Sequence, residues 1–254
     1  MPMLPRIAIP VPHSERDYAE RALKPYEDSV RQAGGEPVRV ELELPNPEIA
    51  RLASRCDAIL LPGSKADIAP QKYGATPDPR TAQPDPARDN ADELLLQDAF
   101  NMRKPVLGIC YGLQALNVWR TGTLLQHIES EVNHQAGREV SRAHTVTLEP
   151  GSLLSEIIGP ACHPALWVNS SHHQAAEIAG DGLRVVARAE KDRLIEALEG
   201  TAPDHFVLAV QWHPERTFEQ DEPSRAIFRA LIDAARRRHQ QPRVPAPDFE
   251  SSAR

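Results

Sequence analysis

The chain has too few cysteines for a disulfide framework. Cys56, Cys110 and Cys162 are an odd number in 254 residues, at spacings that suggest neither paired bridges nor a zinc knuckle. A reducing compartment follows as the simpler expectation, and a cytoplasmic location with it. An excess of basic charge is also missing. Twenty-nine Lys and Arg face thirty-six Asp and Glu, for a net charge of -7, which argues against nucleic acid or an anionic membrane as the main partner. No run approaches the 18 apolar residues needed to cross a bilayer. Residues 1–12 are apolar but broken by Pro2, Pro5, Pro10 and Pro12, with no basic region ahead of a long apolar run, so no signal peptide is expected. Glycine-rich phosphate loops are absent, and the turn after the first strand has no glycine. No cofactor is expected. There is no internal repeat and no linker dividing two domains.

Hydrophobic residues make up 41% and charged residues 26%, the balance of a globular chain able to bury a sizeable core. A single domain over residues 1–239 is expected, followed by a disordered tail over 240–254 that holds Pro242, Pro245 and Pro247. Short apolar runs at 6–9, 37–42 and 57–61 read as strands. A helix capped by Ser14 and kinked or split by Pro25 lies between the first two, and a helix capped by Asn46 lies between the second and third. This alternation predicts an α/β fold with a mostly parallel central sheet flanked by helices. A long Pro- and Gly-rich stretch over 62–86 follows, then a helix over 93–103 and an apolar strand over 105–107. Further strands are expected at 123–128, 145–148, 166–168, 183–188, 194–198 and 206–210, with a final amphipathic helix over 224–238.

Gly108-Ile109-Cys110-Tyr111-Gly112 is the centre of this pattern. Small residues two before and two after Cys110 let a buried strand turn sharply into a helix, which pushes the thiol out of the sheet. A helix N-terminus there favours a thiolate. A cysteine hydrolase also needs an imidazole base and an acid that orients it. The buried strand at 206–210 runs into Gln211-Trp212-His213-Pro214-Glu215 and supplies both. Residues two apart in an extended segment face the same way, so Glu215 can reach the His213 ring. The Tyr111 N–H is free at the helix start and can stabilise an oxyanion. The Gly63-Ser64 turn after the third strand can supply a second donor. The adjacent His172 and His173 face opposite sides of a strand with no third ligand at a sensible spacing, so no metal site is expected.

Gly-Ile-Cys-Tyr-Gly-Leu-Gln at 108–114 with Val-Gln-Trp-His-Pro-Glu at 210–215 resembles the class I glutamine amidotransferase superfamily, whose fold is flavodoxin-like with a nucleophile elbow. Pro62-Gly63-Ser64 through Asp67, Pro70 and Tyr73-Gly74, the segment 168–174 and Ile195-Glu196-Ala197 resemble the γ-glutamyl-γ-aminobutyrate hydrolase family within it. The resemblance spans residues 6–236. It implies a nucleophile at Cys110, a base at His213, an acid at Glu215 and an oxyanion hole from Gly63, Ser64 and Tyr111. It implies that Gln114 and the segment Asn169, Ser170, Ser171, His172, His173 and Gln174 hold a γ-glutamyl head group. The chain departs from the family at Ser64, where Gly is common, at Tyr111, where Arg is frequent, and at Thr121-Gly122-Thr123, where Gly-Gly is usual. The implied activity is hydrolysis of a small γ-glutamyl amide to glutamate and an amine through a thioester, as in polyamine catabolism. Two other functions stand beside it: a glutaminase subunit that passes ammonia to a partner synthetase, and a non-catalytic binding module on the same fold. A homodimer stays open as an assembly.

Overall fold

The computed structural model describes residues 4–159 and 165–239. Cys162 and the expected tail at 240–254 lie outside them. Strands β1 (Arg6–Pro10), β2 (Glu36–Val40), β3 (Ala58–Leu61) and β4 (Val106–Ile109) alternate with helices α1 (Arg16–Gln32), α2 (Asn46–Ser54) and α3 (Pro86–Met102). Helix α4 (Tyr111–Trp119) leaves β4. Then come β5 (Thr123–Leu125), β6 (His144–Leu148), α5 (Leu153–Ile158), β7 (Ala165–Val168), β8 (Ala175–Ile178), β9 (Leu183–Ala189), β10 (Ile195–Gly200) and β11 (Val207–Val210). Helices α6 (Pro214–Thr217) and α7 (Glu222–His239) close the described chain.

Nine strands form one sheet in the order β2-β1-β3-β4-β11-β10-β9-β6-β7, while β5 and β8 pair separately. The five strands from β2 to β11 are mutually parallel, as the alternation of strands and helices predicts. Beyond β11 the sheet continues antiparallel through β10, β9, β6 and β7. Every residue of β3, β4 and β11 is buried, because helices cover both faces of a parallel sheet. Strand β6 alternates buried and half-buried positions and so has one covered face. The registers Leu61↔Gly108 and Val210↔Ile109 bring the C-terminal ends of β3, β4 and β11 side by side. Ligands of open α/β sheets bind beyond such ends.

Several local expectations yield to tertiary contacts. Helix α1 runs unbroken for 17 residues through Pro25. Burial of Leu23, Tyr26 and Val30 against the sheet holds it together, and the Ser29 hydroxyl donates to the Pro25 carbonyl at 2.8 Å. Ser14 does not cap α1. Its N–H and hydroxyl both donate to Asp85. Asp85 is itself the cap of α3, accepting from the N–H groups of Ala87 and Arg88. That helix therefore starts at Pro86 rather than at 93, and Met102 at its end is 47% exposed. Asp85-Pro86 is an N-cap followed by proline in the first turn, a legible start signal. Asn46 is the first helical residue of α2, behind Pro45, and its side chain accepts from Asn90 at 2.9 Å. Strand β5 stops at Leu125, short of 128, and β8 has no counterpart in the expected pattern. Among the described residues no helix is long and apolar enough to cross a membrane.

Candidate active site

Cys110 joins β4 to α4 with φ 54° and ψ −106°. A non-glycine residue rarely adopts this conformation, and such strain is held in place only by the surrounding structure. The supports are specific. The Cys110 N–H donates to the Val210 carbonyl at 2.8 Å, and its carbonyl accepts from Leu113 and Gln114. A Cβ on Gly112 would lie 2.1 Å from the Leu61 carbonyl oxygen, and one on Gly108 would lie 2.8 Å from that of Gly112. Both glycines of the elbow are therefore required by close backbone approach. Burial, the largest influence, pushes the Cys110 thiol up to about 12, against the opposing pull of Arg216 and the Tyr111 N–H. Desolvation thus works against the thiolate that the helix N-terminus is expected to favour.

His213 follows β11 and is 4% exposed. Its Nδ1 lies 2.7 Å from Glu215 Oε1, so the expected acid–base pair is assembled. The route to that contact differs from the one expected. Pro214 starts the short helix α6, and Glu215 reaches His213 across a helical turn rather than along an extended segment. Burial dominates the His213 ring and lowers its pKa despite Glu215. Burial raises Glu215 as well, but His213 and Arg216 outweigh it and hold the carboxyl below its usual range. The combination is an ionised Glu215 against a neutral imidazole. His213 Nε2 is buried and makes no hydrogen bond among the described residues, which leaves it free to accept a proton. A single point at Gly63 brings the two halves together: a Cβ there would sit 3.0 Å from His213 Cε1 and 3.5 Å from Cys110 Cβ.

The other predicted residues divide into those facing this centre and those holding it. The Gly63 N–H donates to the Tyr26 hydroxyl at 3.0 Å, so that anticipated oxyanion donor is engaged. The Ser64 hydroxyl accepts from the Ala66 N–H and closes its own turn. The Tyr111 side chain points away, donating to Asp89 at 2.6 Å beneath the Arg88 guanidinium, while its N–H stays directed at Cys110. The unusual Tyr111 is thus an anchor of the elbow. Asn169 clamps the His213 backbone, accepting from its N–H and donating to its carbonyl, both at 2.8 Å. It positions His213. Gln114 spends its amide nitrogen on the Gln174 carbonyl and Gln211. Ser170 donates to the His134 carbonyl, His173 contacts Asp67 at 3.0 Å, and His172 and Gln174 are buried. Ser171 is half-buried and accepts from Arg216 at 2.7 Å.

Sequence reading passed over three supports. Arg88 is fully buried, pairs with Asp92, and donates to the carbonyls of Pro12 and Pro62. It thereby ties the ends of β1 and β3, and with them the Gly63 turn, to α3. Tyr26 lies between Gly63 and His213, 3.4 Å from Nδ1. Arg216 stands 3.5 Å from Glu215. Arg88 and Tyr26 sit among ordinary helical positions with no local signal, whereas Arg216 directly follows the His-Pro-Glu motif.

The model of the family Peptidase C26 matches residues 9–215. The chain belongs to the Peptidase C26 family. It is accordingly a cysteine-type amide hydrolase. This C26 protein is 35% identical over 221 residues to the γ-glutamyl-γ-aminobutyrate hydrolase PuuD of Escherichia coli, covering 82% of the chain and 84% of that protein. It is 38% identical over 214 residues to Rv2859c of Mycobacterium tuberculosis, provisionally named a glutamine amidotransferase. That match covers 83% of the chain but 66% of the relative, so the chain spans slightly under two thirds of that protein. The glutaminase domain of Trypanosoma brucei CTPS, solved with acivicin, superposes with a TM-score of 0.61 at 17% identity, covering 92% of this chain and 94% of that one. This likeness establishes the glutamine amidotransferase type of fold.

Proposed function

We propose that this C26 protein hydrolyses the γ-amide of a small γ-glutamyl compound such as γ-glutamyl-γ-aminobutyrate. The observation that carries the mechanism is the 2.7 Å contact of His213 Nδ1 with Glu215 beside a strained cysteine elbow. Glu215 fixes the tautomer with the proton on Nδ1, so Nε2 takes the thiol proton as Cys110 Sγ bonds to the amide carbon. The oxyanion forms near the Tyr111 N–H and the Ser64 backbone, since Gly63 is taken by Tyr26. His213 returns its proton to the amide nitrogen, the C–N bond breaks and the amine leaves. Water then attacks the γ-glutamyl thioester, gives a proton to His213, and the sulfur leaves as a thiol. Glutamate is released. The name of the Escherichia coli relative supports the substrate class.

Incubation with γ-glutamyl-γ-aminobutyrate, other γ-glutamyl amides and glutamine, beside Cys110→Ala, tests this reading. Glutamate release from the γ-glutamyl amides by the wild type alone is the expected result. A drop of about 10⁴-fold or more is expected for the variant. Equal release by both proteins, or by neither, removes the proposal. Release from glutamine alone, strengthened by a partner protein, moves the function to ammonia delivery.

A further inference from the structure

Away from Cys110, three histidines converge on one buried carboxylate. His134 lies in the irregular stretch before β6, His144 opens β6, His172 follows β7 and Glu196 lies on β10. None is more than 7% exposed, and Glu196 is fully buried. Glu196 Oε1 lies 3.0 Å from His144 Nε2, 3.4 Å from His134 Nδ1 and 3.7 Å from His172 Nε2.

The outer contacts set which atoms face inward. His134 Nε2 lies 2.8 Å from the Asp192 carboxylate, and His172 Nδ1 lies 2.9 Å from the Gln174 carbonyl. Both partners only accept, so those nitrogens hold the protons in the neutral rings. The remaining nitrogens, His134 Nδ1 and His172 Nε2, then turn lone pairs toward Glu196. Both are buried without a hydrogen-bond partner, as is Glu196 Oε2. Lone pairs converging on a carboxylate call for positive charge among them, held either as protons on the rings or as a metal ion. No Lys or Arg pairs with Glu196 or Asp192 among the described residues.

We propose that His134, His144 and Glu196, with His172 beside them, form a buried binding site for a divalent transition metal of the zinc class. Three observations support the set. Imidazole nitrogens and a carboxylate are the donors this cation takes. A tetrahedron with metal–ligand bonds of about 2.0–2.1 Å has edges of about 3.3–3.4 Å, and the contacts of His144 and His134 to Glu196 Oε1, 3.0 and 3.4 Å, lie near that length, with the ligand atoms of all three residues within 4.8 Å of one another. Two of the imidazoles already hold the outer acceptors that orient metal-bound histidine. Access comes through an adjoining cavity of about 300 Å³, lined by Ser130, Glu131, Asn133 and Gln135 and reaching His134 and His172. A bound metal would join the 126–143 stretch and the 169–174 segment to the sheet beside β11. Glu196 is also joined to the catalytic strand end, since its carbonyl accepts from Gln211 at 2.8 Å.

The test uses the untagged full chain, stripped with a chelator and titrated with Zn²⁺ by calorimetry and with Co²⁺ by visible absorption. One metal per chain and the intense visible bands of tetrahedral Co²⁺ are expected, with a higher melting midpoint in Zn²⁺. His144→Ala should abolish the bands. Asp192→Asn should weaken binding about 10- to 100-fold through the His134 ring. His127→Ala, outside the cluster, should bind as the wild type does. A folded wild type that takes up no stoichiometric Zn²⁺ or Co²⁺ overturns the site and leaves a cluster balanced by protons. Wild-type affinity in both His144→Ala and Asp192→Asn also overturns it. Should His144→Ala fail to fold, the Asp192→Asn titration decides. None of these readouts depends on the hydrolase substrate.

Discussion

Two buried histidine–carboxylate centres among the described residues behave in opposite ways. At the elbow one imidazole meets one carboxylate. Burial is the largest influence on His213, and its pKa falls. On β10 one carboxylate meets three imidazoles. Burial also works against charge on His134, but Glu196 and Asp192 together outweigh it and raise the pKa of that ring. Burial likewise penalises Glu196, yet the surrounding histidines hold it well below the usual carboxylate range. The same residue types therefore give a lowered imidazole pKa at His213 and a raised one at His134. What decides is the number of opposing groups that share the desolvated space. A general base benefits from the first arrangement, because a proton-free Nε2 is ready to accept.

Four measurements would break or sharpen this contrast. The largest effect is expected for Glu215→Gln. It leaves His213 without the anion that fixes its tautomer, and the rate of glutamate release should drop roughly 10³- to 10⁴-fold with the fold retained. A loss under tenfold would make the His213–Glu215 pair structural. Next, Glu196→Gln removes the carboxylate shared by three buried imidazoles. Unfolding in urea should show a loss of about 3 kcal/mol, the scale for breaking a buried charged pair. Unchanged stability would mean that the histidines need no anion. Asn169→Ala leaves the His213 N–H and carbonyl unpaired in a buried place, at about 2 kcal/mol of stability. Its kcat should fall more than its KM changes, and the reverse pattern would restore Asn169 as a substrate contact.

The smallest effect is a shift in a pH profile. The base works only when neutral, so the rate is full above the His213 pKa and falls as pH drops through it. Because that pKa lies below the ordinary 6.5, the acid limb of kcat/KM should have its midpoint below 6.5. A midpoint above 6.5 would show that Glu215 outweighs burial, and the contrast between the two centres would disappear.

Sequence was most informative where chemistry and backbone constraint coincide. Gly108, Cys110 and Gly112 announce the elbow because only glycine tolerates the approach to Leu61 and within the turn. His213-Pro214-Glu215 announces the imidazole–carboxylate contact because the partners are two residues apart. The alternation of strands and helices gives the parallel half of the sheet. The strands of the antiparallel half are readable one by one, but their order β10-β9-β6-β7 depends on long-range pairing. Asp85 and Pro86 held a readable helix start, whereas Pro25 overstated a break that packing overrode.

The cysteine elbow and the His213–Glu215 contact were thus legible in sequence alone, since short-range spacing and elbow geometry suffice for them. Tertiary structure decided which of the other polar residues are engaged in bracing the site. Asn169, Gln114 and Gly63 spend their groups on His213, Gln211 and Tyr26, partners 37 to 97 residues away. It also gathered His134, His144, His172 and Glu196 from four separate segments, which ligand spacing along the chain cannot reveal. The physical reason is the same in each case. Whether a buried polar group is free or satisfied depends on distant neighbours, and only the folded chain brings them within reach.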